Sequence, residues 1–329
     1  MMLKKSSADA RSESLRTPCN GQILLLVAAV LAVVSAPTYA QRPRTTAPRR
    51  KVEKTYAEVE TKLAPIATKL KKPEPGEWLH EHKEAGQTFA QYLSERPVRR
   101  SAKLKKIYLC LLGDFSEKQL EILERTRAYL ELFYDTPVSI HKRVTIEDVP
   151  ERARRVHPTW GDSQILSTWV LNELLKPQVP EDALAYLAFT AFDLWPGDNW
   201  NFVYGQANLR DRTGVWSIYR NGIPERDLET YKQCLRRTLH TASHETGHIL
   251  TMKHCTAYEC NLNGVNHQQE ADRKPLHCCP VCLRKVCWNL QVSPISYLAK
   301  LQKFSEENEL DREVEWYAKA VLALRESER

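Results

Sequence analysis

Residues 244–262 read HETGHILTMKHCTAYECNL, and this stretch carries the strongest structural signal in the chain. Residues four apart share one face of an α-helix, so a helix here would place the imidazoles of His244 and His248 side by side. His254 follows six residues later with a third imidazole. A tetrahedral catalytic zinc needs three such ligands and keeps its fourth position for water. The carboxylate of Glu245 would lie where it can take a proton from that water.

Four cysteines follow with the spacing of a second, structural metal site. Cys255 and Cys260 form one short pair, and Cys279 and Cys282 form a C-x-x-C pair after a longer loop. Two short cysteine pairs separated by a loop are typical of a zinc ion held by four thiolates. Because Cys255 directly follows His254, this zinc would stiffen the loop that delivers the third histidine.

The residues before the histidine motif predict the helix that carries it. Pro224 suits a first helical turn, and apolar positions then recur at helical steps. These positions are Leu228, Tyr231, Leu235, Leu239, Ala242 and Ile249. At about 100° per residue they form one stripe, with His244 and His248 on nearly the opposite side. We therefore expect the stripe to pack on a core and the two histidines to face a cleft.

Further upstream, predicted strands alternate with predicted helices. The strand candidates are residues 107–112, 138–140, 184–193, 201–206 and 215–220. One helix begins after a capping box at Ser116 and runs through about Phe133. A second helix is predicted near residues 163–175. Strands that alternate with helices argue for an α/β fold.

With these residues in view, the sequence resembles the archaemetzincins, whose signature reads H-E-x-x-H-x-x-G-x-x-H-C-x₄-C-x-M and later C-x-x-C. Less specific similarity to the family lies upstream, in the blocks Trp78-Leu79, Gly86-Gln87-Thr88-Phe89, Thr190 with Asp193, and Phe202-Val203-Tyr204-Gly205. The resemblance covers roughly residues 75 to 287. It implies an α/β (α+β) fold: a metzincin-like zincin domain with a twisted mixed sheet, an active-site helix and a zinc-stabilised C-terminal subdomain.

The resemblance also implies a function. The chain would be a zinc metallopeptidase that hydrolyses peptide bonds, with Glu245 as general base and an edge strand, for which residues 201–206 are the candidate, holding the substrate extended. It would bind two zinc ions per chain, a catalytic one on His244, His248 and His254 and a structural one on Cys255, Cys260, Cys279 and Cys282. Two alternatives stay open: a catalytically weak or inactive zinc-binding protein of the same fold, and an enzyme in which Glu270 replaces His254 as third ligand.

Two residues depart from the family signature. Thr251 stands where the family has a glycine that ends the helix, and a β-branched residue resists the positive φ that such turns often need. Holding threonine there costs on the order of 1–3 kcal/mol. Leu262 stands where the family has a methionine beneath the metal. Leucine nearly conserves the volume, so this exchange costs below about 1.5 kcal/mol.

The N-terminus has the layout of a secretory signal peptide. Residues 23–34 are uninterruptedly apolar, basic side chains precede them, and Thr38-Tyr39-Ala40 ends in a small residue. We expect residues 1–40 to be the signal peptide, with cleavage after Ala40 and export to the periplasm or the extracellular space. The alternative is a retained N-terminal membrane anchor. The apolar run is short for a span, which needs about 20 residues.

The remaining division of the chain rests on composition and, for the catalytic domain, on what the resemblance implies. Residues 41–75 form a basic linker and an amphipathic segment, which is a candidate propeptide, and residues 76–290 form the catalytic domain. Residues 291–329 form a C-terminal helical extension, whose apolar stripe comprises Val314, Tyr317, Ala318, Val321 and Leu324. The net charge is +7, but no nucleic-acid-binding motif accompanies it. The expected partner is a peptide or protein substrate, and the sequence does not predict an oligomeric state.

Four further cysteines follow the predicted signal peptide. Cys110 lies in a predicted strand and Cys234 in the predicted helix, so we expect both to be buried thiols. Cys278 and Cys287 either form a disulfide or stay free, since an even cysteine count in an exported chain is compatible with pairing.

Overall fold

A computed structural model of the chain describes residues 56–198 and 200–326. The predicted signal peptide, its cleavage point and the basic run after it lie outside the described residues. The division of the chain into domains therefore stays a prediction. Within the described ranges, no helix combines the length and the apolar character that a membrane crossing requires.

Within residues 56–198 and 200–326, eight strands form two sheets. The strands are β1 (Lys106–Leu112), β2 (Val138–Val144), β3 (Arg154–Val156), β4 (Ser163–Leu166), β5 (Ala183–Thr190), β6 (Asp193–Trp195), β7 (Gly205–Asn208) and β8 (Thr213–Ser217). The larger sheet has the order β2-β1-β5-β8-β7 and the smaller one the order β3-β4-β6. All pairs of the larger sheet are parallel except β7 with β8, so an antiparallel strand ends that sheet.

In the part of the chain that the structure describes, ten α-helical segments surround the sheets. They are α1 (residues 56–63), α2 (Trp78–Glu81), α3 (Phe89–Ser94), α4 (Glu117–Phe133), α5 (Ser167–Trp169), α6 (Leu228–Ile249), α7 (Gln268–Arg273), α8 (Pro280–Leu290), α9 (Pro294–Glu307) and α10 (Asp311–Arg325). A π-helical stretch, Val170–Leu175, continues α5, and short 3₁₀ turns cover Ala64–Ile66, Glu151–Ala153, Lys176–Gln178 and Tyr219–Asn221. The predicted mixed α/β architecture is confirmed.

Two apolar clusters cover the two faces of the larger sheet. Every residue of β5 is buried, as expected for a parallel strand between two covered faces. One cluster joins Leu187 and Phe189 of β5 to α4, α6 and the C-terminal helices. The other joins Tyr186 and Ala188 to Trp169 and its helical neighbours. The alternation along β5 thus sends successive side chains into different cores.

Several predicted boundaries are wrong. Residues 163–166 form β4 rather than the start of a helix, because Gln164 pairs with Asp193 of β6 in the small sheet. The strand predicted over 184–193 ends at Thr190. The strand predicted over 201–206 is Gly205–Asn208 instead. Pairing with another strand decided these boundaries, and local propensity carries no such information.

Helix α6 begins later than Pro224 suggested. Asp227 is its N-cap, and its carboxylate accepts a hydrogen bond from the N–H of Thr230 at 2.7 Å. Leu228, which we placed in the buried stripe, is 63% exposed because it lies in the first turn, beyond the edge of the core. Leu235, Leu239, Ala242 and Ile249 are buried as predicted.

Both ends of the described chain pack on the main core. The amphipathic segment buries Tyr56, Val59 and Leu63 in it. In α10, Tyr317, Val321 and Leu324 are buried, whereas Ala318 is exposed and Ala320 takes its place in the core. The prediction for Ala318 is therefore wrong, because the buried side of α10 includes Ala320 and not Ala318.

Candidate metal centre

Helix α6 and the loop after it bring the three predicted histidines together. The side chains of His244 and His248 are buried on one face of the helix, and His254 returns to them after the helix ends. One ring nitrogen from each histidine lies within 4.8 Å of the others. The Nε2 atoms of His244 and His248 are 3.0 Å apart.

The second ring nitrogen of each histidine is held by an oxygen acceptor. Nδ1–H of His244 donates to the carbonyl of Asn261 at 2.7 Å, and Nδ1–H of His248 donates to the carbonyl of Met252 at 2.6 Å. Nδ1 of His254 faces the carboxylate of Glu84. With Nδ1 occupied in all three rings, Nε2 is the free nitrogen of each, and the three converge on one point.

This donor set fits a zinc ion. Tetrahedral zinc with Zn–N bonds near 2.0–2.1 Å separates two ligand nitrogens by about 3.3 Å, close to the 3.0 Å between His244 and His248. Burial lowers the pKa of His248 to about 3 and that of His244 well below its usual value. Both rings are therefore neutral at ordinary pH, which is the form that binds a metal.

Glu245 lies beside the histidines. Its carboxylate is 1% exposed, and its Oε1 lies 3.7 Å from Nε2 of His244. Burial raises its pKa to about 8, and a cation among the imidazoles would favour the carboxylate again.

A second cluster holds the four predicted cysteines. The sulfurs of Cys255, Cys260, Cys279 and Cys282 lie within 4.8 Å of one another, and all four side chains are buried. The Cys255 and Cys279 sulfurs are 3.5 Å apart, near the roughly 3.8 Å expected for two thiolates on one tetrahedral zinc. Hydrogen bonds from the other three thiols lower the pKa of Cys255. A buried group of four sulfurs with one favoured thiolate fits a structural zinc.

Comparisons with known proteins show which family the chain resembles. The family model described as Peptidase family M54 matches residues 170–287. Archaemetzincin-2 of Pongo abelii is 31% identical over 273 residues, which cover 72% of this chain and 74% of that protein. Archaemetzincin-2 of Rattus norvegicus is 33% identical over 242 residues, which cover 64% of this chain and 67% of that protein.

The chain belongs to the archaemetzincins. It is a metallopeptidase, and thus a hydrolase that acts on peptide substrates. The crystal structure of archaemetzincin from Methanopyrus kandleri superposes with a TM-score of 0.45 at 26% identity, covering 57% of this chain and 96% of that one.

The archaemetzincin turn at Thr251 is built in the left-handed conformation. Thr251 has a φ of 70°, and its N–H donates to the carbonyl of His248 at 2.8 Å. Its side-chain hydroxyl accepts a hydrogen bond from the N–H of Val98 at 3.1 Å, and its carbonyl accepts one from Gln87 at 3.1 Å. Threonine thus occupies the position expected for glycine, and neighbouring groups hold it there.

Leu262 lies beneath the histidine helix of this archaemetzincin. It is fully buried, and its carbonyl accepts a hydrogen bond from the N–H of Cys255 at 2.7 Å. A Cβ atom at Gly247 would lie 2.9 Å from Cδ2 of Leu262 and 3.3 Å from Cε of Met252. A larger residue at 247 would therefore require the side chain of Leu262 or Met252 to shift.

The remaining candidates lie elsewhere. Glu270 is not in the histidine cluster: its carboxylate accepts hydrogen bonds from the N–H groups of Trp78 and Asn266 at 3.0 and 2.8 Å. Among the described residues, Cys110, Cys234, Cys278 and Cys287 are buried free thiols, so Cys278 and Cys287 are not paired in the structure.

The sequence analysis missed residues around the histidines. A pocket next to Glu245 is also lined by Tyr204, His240 and His267. His240 lies one helical turn before His244, with ring centroids 5.7 Å apart, and the four-residue spacing would have predicted this. Tyr204 belongs to a block of similarity noted in the sequence, whereas Glu84 has no local signal, because it comes from a distant part of the chain.

Proposed function

We propose that His244, His248 and His254 hold the catalytic zinc of this archaemetzincin. The observation that carries the proposal is the cluster of three buried imidazoles. In each ring Nδ1 faces an oxygen acceptor, which leaves Nε2 available to bind a metal ion. The four-cysteine cluster would hold a structural zinc, which gives two zinc ions per chain. When bound, the catalytic zinc supplies Lewis-acid chemistry that polarises the scissile carbonyl and activates the attacking water.

Glu245 is the general base in this proposal. Its buried carboxylate accepts a proton from the attacking water and returns it to the amine nitrogen that leaves when the peptide bond breaks. The short distance between its Oε1 and His244 supports this role, because the reacting water must lie within hydrogen-bond reach of the base. Burial also keeps competing water away from the carboxylate.

The substrate would lie along β7. This strand ends the larger sheet and follows directly after Tyr204, which lines the pocket beside Glu245. An extended peptide can add to such an edge through main-chain hydrogen bonds. The position of β7 next to the pocket supports binding of the scissile peptide across the histidine cluster.

Substitution of Glu245 tests the mechanism. We expect Glu245→Gln to retain two zinc ions per chain and to lose peptide hydrolysis, because the amide cannot accept the proton. Glu229→Gln, at the other end of α6, is the matched control and should hydrolyse like the unaltered chain. Sustained hydrolysis by Glu245→Gln would remove Glu245 from the mechanism. If the unaltered protein is loaded with zinc and cleaves no peptide in a library, that result favours the catalytically inactive alternative.

We also propose export through the N-terminal signal peptide. The apolar run at residues 23–34 and the small residue Ala40 support it. Mass spectrometry of protein from the secreting cell should find a mature chain that begins at Gln41. An intact N-terminus in a membrane fraction would support the retained anchor instead.

A further inference from the structure

His254 differs from the other two histidines in the partner of its Nδ1 nitrogen. Nδ1–H lies 2.9 Å from Oε2 and 3.1 Å from Oε1 of Glu84. His244 and His248 instead donate to neutral backbone carbonyls, those of Asn261 and Met252, in the loop after α6. Of the three acceptors, Glu84 alone is charged, and it lies 170 residues from its histidine in sequence.

The surroundings hold the His254 ring in place, while Glu84 stays partly exposed. The His254 side chain is 7% exposed and that of Glu84 31%. The indole of Trp78 packs edge-on against the His254 ring, with centroids 5.1 Å apart. Trp78 is in turn held by Glu270, which accepts a hydrogen bond from its backbone N–H. The Glu84–His254 contact thus lies in a packed region.

The segment that carries Glu84 is fastened to the loop that carries His254. Gln87 donates to the carbonyl of Thr251 and accepts from the N–H of Lys253, at 3.1 and 3.2 Å. The hydroxyl of Tyr92 donates to the carbonyl of Leu250 at 3.0 Å. These bonds join residues 87–92 to 250–253, which adjoin Glu84 and His254 in sequence, and so keep the two segments close to each other.

We propose that Glu84 is the positioning residue for the third metal ligand. Its carboxylate holds Nδ1–H, so the ring presents Nε2 to the metal in one orientation. A carboxylate acceptor also makes the imidazole a stronger base and hence a stronger ligand than a carbonyl acceptor does. The inference rests on the proposed function, because it assumes that His254 binds the catalytic zinc.

The need for such a residue follows from how His254 is delivered. His244 and His248 are set by the geometry of one helix, whereas His254 comes from a loop after a left-handed turn at Thr251. A loop residue has more conformational freedom to lose when it binds a metal. An oriented hydrogen bond to Glu84 removes that freedom before the metal arrives.

Zinc affinity tests the proposal independently of hydrolysis. Full-length protein and the variants Glu84→Ala, Glu84→Gln and Glu81→Gln are titrated with zinc in competition with a chelator of known affinity. We expect Glu84→Ala to bind zinc at the histidine site about 10–100-fold more weakly. Glu84→Gln should lose less, because an amide oxygen still accepts from Nδ1–H. Glu81→Gln, an exposed neighbour on the same segment, should bind zinc like the unaltered chain.

A spectroscopic measurement separates positioning from general stability. Cobalt(II) loaded into the histidine site reports ligand geometry through its visible absorption. The Glu84→Ala spectrum should differ from that of the unaltered chain, whereas the Glu81→Gln spectrum should not. Equal zinc affinity and equal cobalt spectra for Glu84→Ala would overturn the inference, even if its melting temperature falls. Should Glu84→Ala fail to fold, the same comparison holds with Glu84→Gln.

The inference and the proposed function fail in different ways. If the unaltered chain binds no zinc at its histidines, the proposed function is wrong and the inference falls with it. If the unaltered chain binds zinc there and Glu84→Ala binds it equally well, only the role of Glu84 is wrong.

Discussion

The hydroxyl of Thr251 accepts a hydrogen bond from the backbone N–H of Val98 at 3.1 Å, while Thr251 itself holds a φ of 70°. A β-branched residue is strained in that conformation, but its side chain satisfies a partly buried donor that glycine would leave open. The strain and the hydrogen bond therefore oppose each other at one residue of the turn that leads to His254.

Two substitutions at Thr251 separate these contributions. Thr251→Gly relieves the strain and loses the hydrogen bond, so we expect the free energy of unfolding to change by less than about 1 kcal/mol. Thr251→Ala loses the hydrogen bond and keeps most of the strain, so it should destabilise by about 1–2 kcal/mol. Urea unfolding at a constant zinc concentration measures both values. An alanine variant as stable as the glycine variant would contradict this account.

Gly247 and Leu262 form a second coupled pair. Alanine at 247 would place Cβ 2.9 Å from Cδ2 of Leu262, so Gly247→Ala should destabilise by about 1–3 kcal/mol despite the better helix propensity of alanine. Leu262→Val shortens the opposing side chain. The cost of Gly247→Ala should therefore be smaller in the Leu262→Val background, with a coupling energy of about 0.5 kcal/mol or more. Additive costs in the double-mutant cycle would show that the two side chains do not collide.

The cysteines should differ in reactivity once zinc is removed. Burial raises the pKa of Cys110 and of Cys234 to about 11, so only about one thiol in a thousand is ionised at pH 8. We expect a chelator to expose Cys255, Cys260, Cys279 and Cys282 to iodoacetamide first, while Cys110 and Cys234 react only in denaturant or as the pH approaches 11. Peptide mapping of the labelled protein gives the order. Labelling of Cys110 before the cluster would refute the assignment.

A buried ion pair ties the C-terminal helix to the histidine helix. Arg236 of α6 lies 2.8 Å from the carboxylate of Glu313 of α10, which is 1% exposed. Arg236→Ala leaves that carboxylate buried without its cation and should destabilise by about 3–5 kcal/mol. The exposed pair of Lys319 with Glu315 is the control, and Lys319→Ala should lower the stability far less, because solvent screens that pair. If urea unfolding shows a similar loss of stability in the two variants, burial does not determine how much the Arg236–Glu313 pair contributes to stability.

The parts of the site that follow local rules were predictable. The spacing of His244 and His248 is a helix period, and the two cysteine pairs are short enough for each pair to reach one point. The structure brings all seven predicted ligand residues into their two clusters. Helix α4, with its capping box at Ser116, was predictable for the same reason.

The errors lie where a distant partner decided the outcome. Residues 163–166 became a strand because β6 lay beside them. Leu228 fits the apolar period of its helix, but that helix extends past the core, which left the residue exposed. Propensity and periodicity describe a segment by itself and say nothing of the surface that it meets.

By itself, the sequence determined which side chains can bind metal and the α/β class of the fold, because both depend on spacings of a few residues. Tertiary structure alone decided that Glu84 meets His254 and that Val98 meets Thr251, across 170 and 153 residues. The physical reason is that hydrogen bonds act over about 3 Å, and only the packed fold brings such distant residues within that range.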